Sequence, residues 1–115
     1  MNSKEMARIA YEALDKKKAS DIKIIDISNV SILADYFIVA SGDNHNQLNA
    51  MQNAVDEDLY KAGVKCRQVE GNRDSTWILM DYEDIIVHIF SEEDRLFYDL
   101  ERIWQDGKII DIDEL

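Results

Sequence analysis

Proline is absent from these 115 residues, cysteine occurs once and glycine only four times. Element boundaries must therefore be read from hydrophobic periodicity and capping residues rather than from breakers. A single thiol, Cys66, cannot form an intramolecular disulfide and fits a reducing compartment. Bases are scarce, 13 against 24 acids, for a net charge of −11. Neutralising phosphates takes clustered Lys and Arg, so this balance speaks against a nucleic-acid groove and against an anionic membrane surface. No apolar run approaches the ~20 residues of a membrane-spanning helix. The opening MNSKEMARIAYEAL has charges inside its apolar pattern, unlike a secretory signal. What is present is globular in composition, 46% hydrophobic and 32% charged, and suits a single domain over residues 1–115. The expectation is a soluble cytoplasmic protein with a basic partner.

The negative charge is concentrated. Residues 1–80 hold 12 acids and 10 bases, net −2, whereas residues 81–115 hold 12 acids and 3 bases, net −9. Such asymmetry has two readings. It can be a solvated face that maintains solubility, or an electrostatic landing site that speeds encounter with a basic protein.

Met6, Ile9, Ala10, Ala13 and Leu14 recur at helical spacing behind Ser3, a good N-cap, and Lys16, Lys17 and Lys18 suit the helix C-terminus. Ile22, Ile24, Ile25 and Ile27 suggest a first strand. Tyr36–Ser41 (YFIVAS) suggests a second, apolar on both faces and hence central in a covered sheet. After Gly42 and the turn residues Asp43–Asn46, Leu48, Met51, Val55, Leu59 and Ala62 mark a second helix that Gly63 ends. Val64–Val69 reads as a third strand containing Cys66. Thr76–Asp81 and Ile85–Phe90 form a hairpin around Tyr82-Glu83-Asp84. Ser91 with Asp94 makes a loose capping box for a last helix running to about Gln105, with Gly107 as its stop. The pattern predicts an α/β fold: one domain with a mixed sheet of about five strands and helices packed on it. Tyr36–Ser41, Thr76–Asp81 and Ile85–Phe90 should form its interior.

No credible reaction centre emerges. His45, His88 and Cys66 fall in separate elements without metal-ligand spacing, so no metal is expected, and a lone cysteine in a strand reads as a small buried hydrophobe. The loop SGDNHN opens a helix, as phosphate-binding turns do. It has one glycine, no lysine and an Asp43 that repels anions, so no cofactor is expected there. Asp81 and Asp84 flank a turn and are not the closely spaced pair a nucleotidyltransferase needs for Mg²⁺. The last helix is more informative. Leu96, Leu100 and Ile103 make one stripe, and Phe97, Leu100 and Trp104 a second, an arc wider than packing on one sheet requires. Part of it should face something else, either its own strand edge or a partner, and homodimerisation of the free protein is expected. Trp77, Tyr82, Arg95, Tyr98 and Trp104, the residue types that anchor interfaces, all fall between the EGNRDS loop (Glu70–Ser75) and the end of this helix.

From Ala34 to Trp104 the chain resembles the ribosomal silencing factor family, also called Iojap-related. The resemblance is carried by ADYFIVASG (Ala34–Gly42), Glu70-Gly71, WILMDYEDIIVHIF (Trp77–Phe90) and RLFYDLERIW (Arg95–Trp104). Glu83 stands where many members of that family have glycine, and Asp43-Asn44-His45 replaces a commoner Thr-Ser run. The resemblance implies a nucleotidyltransferase-like fold without its catalytic apparatus, hence a protein that is not an enzyme. It further implies binding to large-subunit ribosomal protein fourteen, on the face that meets the small subunit. Subunit association would be blocked and translation lowered. The contact is expected around Trp77, Leu79, Asp81, Tyr82, His88, Phe90, Arg95 and Tyr98. In a strand Trp77, Leu79 and Asp81 share a face, as do Ile86, His88 and Phe90 in the hairpin partner, but sequence does not say which faces are core. The rival readings are an acidic dimeric adaptor for another basic protein and a nucleotide-handling enzyme of the related fold.

Overall fold

Asn2 opens the first helix, α1 (Ser3–Lys16), its side chain accepting from Glu5 N at 2.9 Å, one residue ahead of the expected Ser3 cap. The helix buries Met6, Ala7, Ala10, Ala13 and Leu14 along one stripe. It ends in a Schellman turn, with Lys18 N donating to Asp15 O and Ala19 N to Leu14 O, and Lys18 at φ 60°. The computed structural model describes residues 1–71, 74–94 and 107–115.

Beyond α1 come β1 (Ser20–Asp26), β2 (Tyr36–Gly42), α2 (His45–Lys61), β3 (Gln68–Glu70), β4 (Trp77–Asp81), β5 (Ile85–Ser91), β6 (Lys108–Ile110) and a 3₁₀ turn (Ile112–Glu114). The strands form one sheet in the order β3-β4-β5-β2-β1-β6. It is mixed: β2 and β5 run parallel, and the other neighbours antiparallel. The three strands expected inside are inside. Every residue of β2 is buried, as its two-sided apolar sequence requires.

Two expectations are corrected. The sheet has six strands rather than five, because Lys108–Ile110 pairs with β1 through Ile24↔Ile110 and Asp26↔Lys108. The third strand is also shorter than Val64–Val69, and Cys66 precedes it. Val64 is committed elsewhere: its N–H closes α2 on Leu59 O while Gly63, at φ 91°, donates to Tyr60 O. Pairing with β4 therefore starts only at Arg67, whose N–H meets Asp81 O. Ser91 Oγ accepts from Asp94 N at 3.1 Å, half of the expected capping box, and residues 92–94 are helical. The rest of the expected last helix, with its apolar arc, lies outside the described residues.

Both helices pack against the same side of the sheet, where Ile24, Ile38, Ile78, Met80, Val87 and Ile89 meet Leu14, Met51, Val55 and Leu59. The other side gathers Ile25, Ile27, Ala34, Phe37, Val39 and Phe90 into a smaller cluster.

Candidate interaction surface

Antiparallel pairing places directly opposed side chains on one face. Trp77↔Phe90, Leu79↔His88 and Asp81↔Ile86 are opposed across β4 and β5, so all six lie on the side away from α1 and α2. Val87 and Ile89 alternate to the helix side, which resolves the choice the sequence leaves open. Exposure grades across this face. Phe90 and His88 are buried, Leu79 and Asp81 half-buried, and Trp77 is 37% exposed.

Trp77 is held in place. Its ring stacks on Phe90, centroids 5.2 Å apart, and its indole N–H donates to His88 Nδ1 at 3.2 Å. Phe37 meets the His88 ring edge-on at 4.7 Å. Because Nδ1 accepts, the neutral imidazole carries its proton on Nε2, and that buried atom has no hydrogen-bond partner among the described residues. Burial lowers the His88 pKa to about 4, so the ring is uncharged at neutral pH. The arrangement is a partly exposed indole on a rigid aromatic base, a good anchor for a partner surface.

Tyr82 is not part of this face. It turns into the helix-side core, where its hydroxyl donates to Asp56 Oδ1 at 3.1 Å, and desolvation is the main reason its pKa is raised. Asp81 serves the hairpin as well as the surface: Oδ1 accepts from Glu83 N at 2.8 Å and fixes the turn, with Glu83 at φ 72°. Arg95 and Tyr98 lie outside the described residues.

Two residues that sequence reasoning missed join the surface. Register places Gln68 opposite Asp81 and Glu70 opposite Leu79, and both are exposed. Gly71, at φ 102°, makes the approach possible, since a Cβ there would stand 2.7 Å from Trp77 O. The signal was the Glu70-Gly71 pair itself, but it becomes a placement only once the register of so short a strand is known.

The alternative sites have poor chemistry. At the start of α2, Asn44 Oδ1 accepts from Gln47 N, and ahead of the cap Asp43 N donates to Gln47 Oε1, so two of the amides around this turn are already engaged. A Cβ on Gly42 would meet Gln47 Oε1 and Leu48 Cδ2 at 3.0 Å, so this glycine serves close packing. Burial raises the Cys66 thiol pKa, and Sγ donates to backbone carbonyls, which disfavours a nucleophilic thiolate. No group of three or more His, Cys, Asp or Glu among the described residues could hold a metal ion, and none of their helices is long and apolar enough to cross a membrane.

The family model described as ribosomal silencing factor during starvation matches residues 1–115. The chain belongs to this family. A ribosomal silencing factor of Bacillus subtilis is 34% identical over 113 residues, covering 98% of this chain and 96% of that one. The mouse protein named mitochondrial assembly of ribosomal large subunit protein 1 is 30% identical over 96 residues, 79% of this chain and 41% of its own length. A crystal structure from Chromobacterium violaceum superposes with a TM-score of 0.87 at 37% identity, covering 91% of this chain and 88% of that one. The family resemblance expected from sequence is thus established, as is its α/β fold with a mixed sheet.

Proposed function

We propose that this member of the ribosomal silencing factor family binds large-subunit ribosomal protein fourteen and prevents the small subunit from docking, repressing translation in the cytoplasm. The observation that carries the reading is the exposed Trp77, fixed by His88 and Phe90 beside Leu79, Asp81 and Glu70. An aromatic anchor with a carboxylate rim suits a basic protein surface. The mouse relative's name refers to the ribosomal large subunit, which agrees with the side of the ribosome proposed. Arg95 and Tyr98 would extend the contact, while Tyr82 would act from within the core. The mechanism is steric and needs no reaction: occupying the contact surface suffices while binding outlasts a subunit encounter. The free protein would form a homodimer through the apolar arc of Leu96, Phe97, Leu100, Ile103 and Trp104, a reading that rests on their spacing in the sequence.

The test measures joining of purified ribosomal subunits by sedimentation with the protein in excess. The expected result is free large subunits carrying the protein and fewer joined ribosomes. Unchanged joining, with no protein on isolated large subunits, overturns the proposal.

A further inference from the structure

The loop between β1 and β2 places apolar side chains in water. Residues 27–34 (ISNVSILA) contain no charge in a chain that is 32% charged. Ile27 and Ala34 are buried and pin its ends, whereas Val30, Ile32 and Leu33 are 40%, 103% and 75% exposed. The loop is braced from within. Val30 N and Ser31 N donate to Ile27 O at 3.0 and 2.9 Å, and Leu33 N donates to Ser31 Oγ at 3.0 Å. Ile27 N closes its base on Asp35 O at 2.9 Å. Ile32 and Leu33 are therefore presented in a fixed arrangement, which lowers the ordering cost of docking. Adjacent apolar side chains this exposed are a mark of an interaction site.

Charge tells which occupant fits. Asp35 N donates to Asp84 O at 2.8 Å, joining the loop to the β4–β5 turn and setting exposed Glu83 and Asp84 beside it. Asp26 stands at the other end of the loop, opposite Lys108 in the ladder, and among the described residues no ion pair engages Asp35, Glu83 or Asp84. A second copy docking here would bring two acidic collars together, and nucleic acid would bring its phosphates against them. A basic protein meets neither penalty. The same turn carries Asp81, so the loop continues the surface that begins at Trp77 and Leu79.

We propose that Ile32 and Leu33 form a second anchor, which enters an apolar hollow on a basic protein of the large ribosomal subunit while Asp35, Glu83 and Asp84 pair with Lys or Arg at its rim. This rests on the ribosomal reading above. The test compares three proteins, the parent, the double variant Ile32→Ser/Leu33→Ser and Asp84→Lys, for binding to isolated large subunits and for sedimentation of the free protein. The altered side chains are exposed, so folding should be retained and is checked by thermal unfolding. The double variant is expected to bind at least tenfold more weakly. Asp84→Lys should associate more slowly than the parent, with the gap widening at low salt. A double variant that binds like the parent overturns the inference and leaves the ribosomal reading intact. If it binds normally but no longer self-associates, the loop belongs to a second copy, and the inference is equally overturned. A parent chain that fails to bind large subunits removes the ribosomal reading and this inference with it.

Discussion

β5 presents Ile85, Val87 and Ile89 to α1 and α2, and Ile86, His88 and Phe90 to the opposite side of the sheet. One strand thus serves two chemistries. On the helix side the residues are mostly aliphatic, and the buried Tyr82 hydroxyl is hydrogen-bonded to Asp56. Such a surface needs only volume and burial to be right. The opposite side holds an imidazole whose Nε2 has no hydrogen-bond partner among the described residues, Trp77 stacked on Phe90, Phe37 edge-on to the imidazole, and the half-buried Leu79 and Asp81. A buried polar group is costly where burial is the sole purpose. Its presence marks the side on which geometry matters beyond stability, and the indole that it orients is the side chain left partly in water.

The contrast breaks most sharply at Ile89, which is fully buried beneath the helices. Ile89→Ala should lower unfolding free energy by about 2–5 kcal/mol in urea, through lost burial and a residual cavity. On the other side, Trp77→Ala should cost less stability but ~2 kcal/mol of partner affinity, about thirtyfold, because it removes an anchor on the face away from α1 and α2. Equal losses of stability in the two variants would erase the distinction between the faces.

His88 supplies a pH test of the same contrast. Its folded pKa, about 4, is depressed by burial below the ordinary histidine value of 6.5. The unfolded chain therefore binds more protons between these values, so stability is complete above about pH 6.5 and declines as pH falls toward 4. The loss approaches about 3 kcal/mol below that window. Urea unfolding at several pH values should show this extra slope in the parent and not in His88→Phe. Parallel slopes would place His88 in a solvated site.

The smallest effect concerns the hairpin that both faces share. Glu83 occupies a left-handed conformation at φ 72°, which costs a side-chain-bearing residue roughly 1 kcal/mol or more. Glu83→Gly should raise the melting temperature by a few degrees, read by thermal unfolding of the free protein. A lower melting temperature would show that the Glu83 side chain contributes more than its backbone costs.

Much of the architecture was legible because its signals are local. The apolar stripe of α1, the Gly63 stop and the two-sided run of β2 specify their elements with little help from the rest of the chain. β6 was not legible: Lys108–Ile110 is too short to show periodicity, and only the open edge of β1 gives it a partner. The surface was legible in its residue types but not in its sides. IIVHIF is apolar at nearly every position, so alternation alone cannot say whether His88 or Val87 meets the helices. Tyr82 shows the limit, since an aromatic beside a turn reads as an anchor until the hydrogen bond to Asp56 places it inside. Glu70 entered the surface through register, which no spacing in the sequence prints.

The most direct measurement is the affinity of Trp77→Ala and Tyr82→Phe for isolated large ribosomal subunits, side by side with the parent. If the face away from the helices makes the contact, Trp77→Ala loses about thirtyfold and Tyr82→Phe binds like the parent. Undiminished binding by Trp77→Ala, with a loss in Tyr82→Phe, would contradict the account.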